Sequence, residues 1–241
     1  GWFWDAGTAA ATVNTNGSLD PSNAWVNATS GMNILKYTGN GSTSTVGHNL
    51  GAKPDFIIIK ALATSCNWEV YSSSIGAEYN LNLNTNGAKY DSSARWNDTE
   101  PTNDVFTLGN YANVNDNGVD YMAYLFTSIP GYSAFGEATG NGSTDGVFIY
   151  TGFKPRYILW KGTNETSSWG IIDAARSPYN VADELLVAED AMDEDGGNSN
   201  WARDILSNGF KMRGSHGSVN GNGDTYIYAA FAEHPFKTAR A

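Results

Sequence analysis

The six residues Thr-Gly-Asn-Gly-Ser-Thr stand at positions 38–43 and again, letter for letter, at 139–144. The same shift lays Gly51, Lys53, Pro54, Ile57 and Lys60 of "GAKPDFIIIK" over Gly152, Lys154, Pro155, Ile158 and Lys161 of "GFKPRYILWK". Between Thr38 and Trp68, thirteen of thirty-one positions are identical to their shifted counterparts, where average residue usage gives about two by chance. With small gaps the likeness continues to the end. "FTLGNYANVNDNGVDYMAYLF" (106–126) runs parallel to "FKMRGSHGSVNGNGDTYIYAAF" (210–231), pairing Phe106, Tyr121 and Phe126 with Phe210, Tyr226 and Phe231. Such self-similarity is read before any local signal. It predicts an internal duplication of roughly one hundred residues per copy, too few copies for a solenoid and enough for two small units.

Each unit reads as β structure. "DFIIIK" and "RYILWK" are short runs of branched and aromatic residues introduced by Lys-Pro, and "YMAYLF" and "YIYAAF" have the same character. Apolar runs of this length, bounded by turn residues, predict buried strands. "YNLNLNT" (79–85) alternates, with Tyr79, Leu81 and Leu83 on one side and Asn80, Asn82 and Asn84 on the other, which predicts a strand with one wet face. Asn-Gly occurs at Asn16, Asn40, Asn86, Asn117, Asn141, Asn208, Asn220 and Asn222, and both residues tolerate the positive φ that tight turns need. "NVADELLVAEDAMDEDGG" (180–197) has helix formers and an acidic opening. Its counterpart in the first copy is "YNLNLNT", so a strand at Leu185–Ala188 and a following loop are expected. The fold class is therefore all-β: two tandem, internally duplicated β-sandwich units of jelly-roll or lectin-like kind, at 31–130 and 131–241. Residues 1–30 lie outside both copies as a hairpin segment, which either pairs with the first unit or ends an upstream part.

Composition narrows the function. Aromatics make up 13% of the chain, which excludes a disordered segment. Fourteen Lys and Arg against twenty-five Asp and Glu give a net charge of −11, a poor match for nucleic acid phosphates or an anionic membrane surface. Cys66 is the one cysteine, so no intrachain disulfide can form, and the matching position in the second copy is Ser167. No apolar run approaches a membrane span. "GWFWDAG" begins abruptly, with Trp2, Phe3 and Trp4 in need of burial, and reads as a piece of a longer or processed chain.

Catalytic signals are weak. His48, His216 and His234 fit no zinc-protease pattern, and no Gly-x-Ser-x-Gly elbow is present. His48 and His216 sit in Gly/Ser/Asn loops, where a solvated ring is the ordinary outcome. "NVNDNG" (113–118) opens like a calcium loop but has Tyr124 where the closing glutamate belongs, so it and "SVNGNG" read as hairpin turns. "EDAMDEDGG" brings Asp190, Asp193 and Asp195 close together with Glu189 and Glu194. That run is either a solvated loop or a site for Ca²⁺ or another cation; no other cofactor is expected. Sugar binding is the sharper hypothesis, because flat rings cover the CH faces of sugars while amides and carboxylates bond their hydroxyls. Trp68 and Trp169 match across the copies and are expected in the core, and Trp160, inside an apolar strand, is expected in the core or at the interface between the units. Trp96 and Trp201, set among polar residues, and Tyr90 are the candidate exposed rings, with Asn97 and Asp98 as their polar neighbours.

"YTGNGS", "VGHNLGAKPDFIIIK", "WNDTEPTNDVFTLG", "ARSPYNVADE", "LSNGFKMR" and "TYIYAAFAEHPFK" resemble a family of duplicated domains near the C-terminal ends of tailed-bacteriophage tail fibres. The resemblance covers nearly the whole chain. It implies an extracellular virion protein, a homotrimer joined to other virion proteins, whose distal domains contact the host surface. It offers no site residues. Joined to the sugar-binding hypothesis, it predicts a non-enzymatic receptor-binding module for a bacterial surface glycan. The alternatives are a purely structural fibre or capsid-surface domain and a glycan depolymerase.

Overall fold

A computed structural model describes residues 4–7, 10–197 and 199–234. It is 39% strand and 7% helix, so the all-β expectation holds. The chain divides into two units. The first takes in the described residues up to Asn82 together with Tyr90–Thr127; the second takes in Leu83–Lys89 and the described residues from Ser128 on. The N-terminal segment is thus part of the first unit rather than a separate piece. Leu83–Lys89 goes with the second, where the Lys89 N–H donates to the Thr163 carbonyl at 2.8 Å. Trp2 and Phe3 lie outside the described residues, and Trp4 is half-buried.

The first unit contains β1 (Asn23–Asn27), β2 (Met32–Thr38), β3 (Ser44–Gly47), β4 (Phe56–Ala61), β5 (Glu69–Ser72), β6 (Tyr79–Asn82), β7 (Tyr90–Asp91), the single helical turn α1 (Ser93–Trp96), β8 (Val105–Leu108), a second turn α2 (Ala112–Asn115) and β9 (Asp120–Phe126). One antiparallel sheet runs β1-β2-β9-β4-β5-β6-β7, and β3 pairs with β8. In β9 the strand period of two is plain: Tyr121, Ala123 and Leu125 are buried while Met122, Tyr124 and Phe126 are half-exposed. Leu35, Tyr37, Ile57, Ile59 and Tyr71 from the large sheet share one core with Val46, Phe106 and Leu108 from the β3–β8 pair, which makes the unit a two-layer sandwich.

The second unit contains β10 (Ser133–Thr139), β11 (Phe148–Tyr150), β12 (Pro155–Gly162), β13 (Gly170–Asp173), β14 (Leu186–Val187), a 3₁₀ turn at Ser199–Trp201, β15 (Arg203–Leu206), β16 (Gly209–Met212), the turn α3 (Gly217–Asn220) and β17 (Thr225–Ala232). Its larger sheet runs β10-β17-β12-β13-β14, the strand order of β2-β9-β4-β5-β6, and β16 pairs with β11 as β8 pairs with β3. Leu186–Val187 is a strand, as expected from the repeat, and the rest of 180–197 holds no helix.

The repeated loop has a physical explanation that is the same in both units. In the first, Asn115 is fully buried; its Oδ1 accepts from the Asn40 N–H (2.9 Å), and its Nδ2 donates to the carbonyls of Ser42 (2.6 Å) and Gly109 (3.0 Å). In the second, buried Asn220 accepts from the Asn141 N–H (3.0 Å) and donates to the carbonyls of Ser143 (2.8 Å) and Gly214 (3.2 Å). A Cβ at Gly39 would come within 2.3 Å of the Asp116 carbonyl, and one at Gly140 within 2.2 Å of the Gly221 carbonyl. Gly41 and Gly142 have φ of 73° and 67°, open to glycine at least cost. The Tyr121 hydroxyl accepts from the Asp116 N–H at 2.8 Å, and the Tyr226 hydroxyl from the Gly221 N–H at 2.7 Å.

Three local expectations are corrected. "NVNDNG" and "SVNGNG" are not hairpin turns; each begins as a helical turn that carries a clamp asparagine, and the strands either side do not pair with each other. The Asn face of "YNLNLNT" is not wet at Asn80, which is fully buried because Glu69 needs its amide. His48 is not solvated but 1% exposed, with the Thr102 carbonyl 3.2 Å from Nε2.

Two outcomes follow for stability. Replacing Asn115 or Asn220 by alanine leaves buried backbone groups without partners and should cost about 2–4 kcal/mol in the unit that carries it. Hydrogen exchange resolved by residue should localise the loss to that unit. Burial holds the pKa of His48 below its ordinary 6.5. As pH falls through that value the unfolded chain takes up a proton that the folded chain refuses, so stability drops. Urea midpoints between about pH 7.5 and 5 should therefore fall further in the parent than in His48→Gln.

Candidate functional site

Glu69 opens β5 among apolar neighbours, in the stretch "NWEVYS", and its side chain is fully buried. A buried carboxylate is costly unless donors surround it. Here they do. Asn80 Nδ2 on β6 donates to Glu69 Oε2 at 2.5 Å, and the Asn82 amide, turned to present its nitrogen, reaches the same oxygen at 2.9 Å. The Tyr90 hydroxyl on β7 accepts from Asn80 at 2.8 Å and donates to Oε2 at 3.4 Å. Asn113 Nδ2 on α2 donates to Oε1 at 2.6 Å. Arg95 on α1 supplies the counter-charge, its Nε 3.6 Å from Oε2.

The Arg95 guanidinium lies 3.5 Å from the ring centroid of Tyr111 and 4.9 Å from that of Tyr90, a cation–π arrangement on two rings. Its Nη1 donates to Ser92 Oγ at 2.9 Å. The short turn α1 is fixed to the segment that follows β8: the Gly109 N–H donates to the Arg95 carbonyl (2.7 Å) and the Tyr111 N–H to the Ala94 carbonyl (3.0 Å). Gly109 permits this, since a Cβ there would lie 2.2 Å from the Ala94 oxygen. Tyr111 is 36% exposed, while Tyr90, Asn82, Arg95 and Asn113 are half-buried. The cluster therefore has a sealed floor, Glu69 and Asn80, and an accessible rim. Burial and the Glu69 charge raise the pKa of the Tyr90 phenol, which remains a neutral donor and acceptor.

The expected sugar-binding residues divide. Tyr90 belongs to the cluster. Trp96 does not present a ring to solvent: it is 1% exposed and meets Tyr71 edge to face at 5.8 Å, because α1 turns its indole into the core. Trp201 is 8% exposed and lies over Gly170, where a Cβ would be 2.4 Å from the indole. Asn97 and Asp98 are exposed, and their φ values of 52° and 48° give them a backbone reason to be there, since Asn and Asp enter the left-handed region more readily than most residues. Trp160 and Trp169 are core as expected, but Trp68 is only half-buried. Asp190, Asp193 and Asp195 are not gathered around a common point. Asp195 pairs through its backbone with Leu185, Glu194 bonds Arg176 at 2.9 Å, and among the described residues no three acidic, histidine or cysteine side chains group to hold a metal.

No expectation from the sequence points to Glu69, Arg95 or Tyr111, and Asn80 is expected on a wet strand face and Asn113 in a turn rather than in a site. A signal was there for one of them: Glu69 is an acid inside a strand run, and its counterpart in the second copy is Gly170.

Residues 1–235 match the family described as Domain of unknown function (DUF7483), and the chain belongs to that family. No curated protein and no solved structure matches it.

Removing either charge from the buried pair strands the other. Glu69→Gln and Arg95→Met should each destabilise by about 2–4 kcal/mol, and the double variant by clearly less than the sum. Urea titrations of the four proteins check this; additive losses would mean that the two groups are not coupled.

Proposed function

We propose that this member of the DUF7483 family is a non-enzymatic receptor-binding module of a phage tail fibre, and that it recognises a glycan on the bacterial surface. The observation that carries the reading is the Glu69 cluster. It brings a carboxylate, three amides, a phenol and a guanidinium together beside the partly open Tyr111 ring. That is the chemistry a sugar asks for: a flat ring for its CH face and fixed donors and acceptors for its hydroxyls. The tail-fibre setting rests on the sequence resemblance, and with it the homotrimer, the attachment to other virion proteins and the extracellular location. An excess of acids over bases argues against nucleic acid as ligand. Among the described residues no helix is long and apolar enough to cross a membrane.

Of the clustered residues only Glu69 carries a carboxylate, and two-carboxylate glycoside hydrolysis needs a second; this favours binding over depolymerisation. A structural role is the second reading. It is favoured by β11, an edge strand whose Phe148 and Tyr150 are 46% and 68% exposed, a surface suited to contact between subunits.

Each glycan site is expected to be weak, about millimolar, with trimer avidity multiplying retention by ~10²–10⁴ where geometry permits. Purified oligomer is incubated with host cells and with extracted surface polysaccharide, and both retention and released reducing ends are measured. Retention without release supports the proposal, and Tyr111→Ala should then weaken it about tenfold, with a fall in the urea midpoint no larger than the loss of its cation–π contact with Arg95. Release would mean an enzyme. Neither signal would leave the structural reading.

A further inference from the structure

Arg203, the first residue of β15, is fully buried. Strand alternation turns it to the same side as Ile205, into the core of the second unit. Its guanidinium sits over the Trp160 ring, 5.4 Å from the centroid, and Nη1 donates to the Trp201 carbonyl at 3.4 Å. Among the described residues Nε and Nη2 have no acceptor, and neither has Nε1 of the equally buried Trp160. No carboxylate forms an ion pair with this guanidinium among the described residues. That sets it apart from Arg95, whose charge meets Glu69, and from Arg176, which meets Asp173 at 2.6 Å. Burial lowers the pKa of Arg203 to about 9 with no opposing charge to offset it, so at neutral pH the group is still a cation.

Three buried donors and one positive charge without a protein acceptor form an incomplete set, since buried polar groups are otherwise almost always bonded and buried charges paired. A water would satisfy a donor but would leave the charge unopposed. Nε and Nη2 are also the two donors on one edge of the guanidinium, the parallel pair that a planar oxyanion engages with two oxygens. We propose that Arg203 and Trp160 hold a small monovalent anion, with a planar oxyanion of nitrate or formate size the best fit. The anion would be enclosed as the second unit folds and would serve as the missing counter-charge of its core. This inference does not depend on the glycan reading, which concerns the first unit.

The test is unfolding of the full chain in sodium nitrate or formate against sodium gluconate at equal ionic strength, read by hydrogen exchange at Ile205 and Phe210. Gluconate is too large for an enclosed site. Above the dissociation constant, each tenfold rise in nitrate or formate should lower the unfolding equilibrium constant of this unit about tenfold; gluconate should not. Arg203→Met should remove the difference between the salts, and Trp160→Phe, which keeps the charge and loses one donor, should weaken it. General salt effects act on the parent and variants alike, so the contrast isolates the site. Should Arg203→Met fail to fold, the parent's two-salt contrast and Trp160→Phe still decide. Equal responses to nitrate and gluconate in the parent, or a nitrate dependence that survives Arg203→Met, would overturn the proposal.

Discussion

The sandwich of each unit rests on one buried amide. A loop that crosses the end of a sandwich carries backbone groups that no strand can satisfy, and burying them unpaired would cost more than most side-chain contacts return. Asn115 and Asn220 meet that need with one side chain each, accepting from one backbone N–H and donating to two carbonyls. The glycines on either side of Asn40 and Asn141 are consequences. One lets the loop backbone approach the turn that bears the amide, and the other reverses the chain. A short stretch that must satisfy a donor–acceptor match, a close approach and a positive φ together tolerates little change, and this is a sufficient physical reason for six identical letters.

The core around the clamp has more freedom. At the position of Tyr37 the second unit has Ala138, and at the position of Ile59 it has Trp160. Tyr37 stacks on Tyr121 at 5.2 Å, and Trp160 stacks on Tyr226 at 4.9 Å. The large ring has moved from the β2 position to the β12 position, yet it still rests on the tyrosine that holds the helical turn. The stacked pair is kept while the residues that supply it change, as cores allow. The backbone-satisfying residues match letter for letter, and the space-filling residues do not.

This difference explains what was legible in the sequence. Strand identity, the strand at Leu186–Val187 and the likeness of the two units follow from apolar runs and matched phrases, which are local or repeated signals. The role of Asn115 was not legible, because its partners Asn40 and Ser42 lie more than seventy residues away and nothing in "NVNDNG" announces them. The site was legible in part for the same reason. Tyr90 stands in a polar stretch and could be picked out. Trp96 stands in one too, but which way a four-residue turn points its indole is decided by the packing against Tyr71 and not by the adjacent letters. Glu69 looked like one acid among many until Asn80, Asn113 and Arg95 came together around it.

Position 69 is also where the two units part company. In the first unit a buried glutamate draws Arg95, three amides and Tyr90 to the outer strands of the large sheet. In the second, the equivalent residue is Gly170, and the indole of Trp201 fills the place that a side chain would need. One choice forces a polar network on its surroundings, because an unpaired buried charge is intolerable. The other removes any need for polarity and closes the surface with an apolar ring. A charge held at depth, with its ligands reaching outward to half-open tyrosines, stores donors and acceptors in fixed positions. A ring packed on glycine stores none. The two units keep one scaffold, and the asymmetry at this single position is the physical ground for proposing recognition in the first of them.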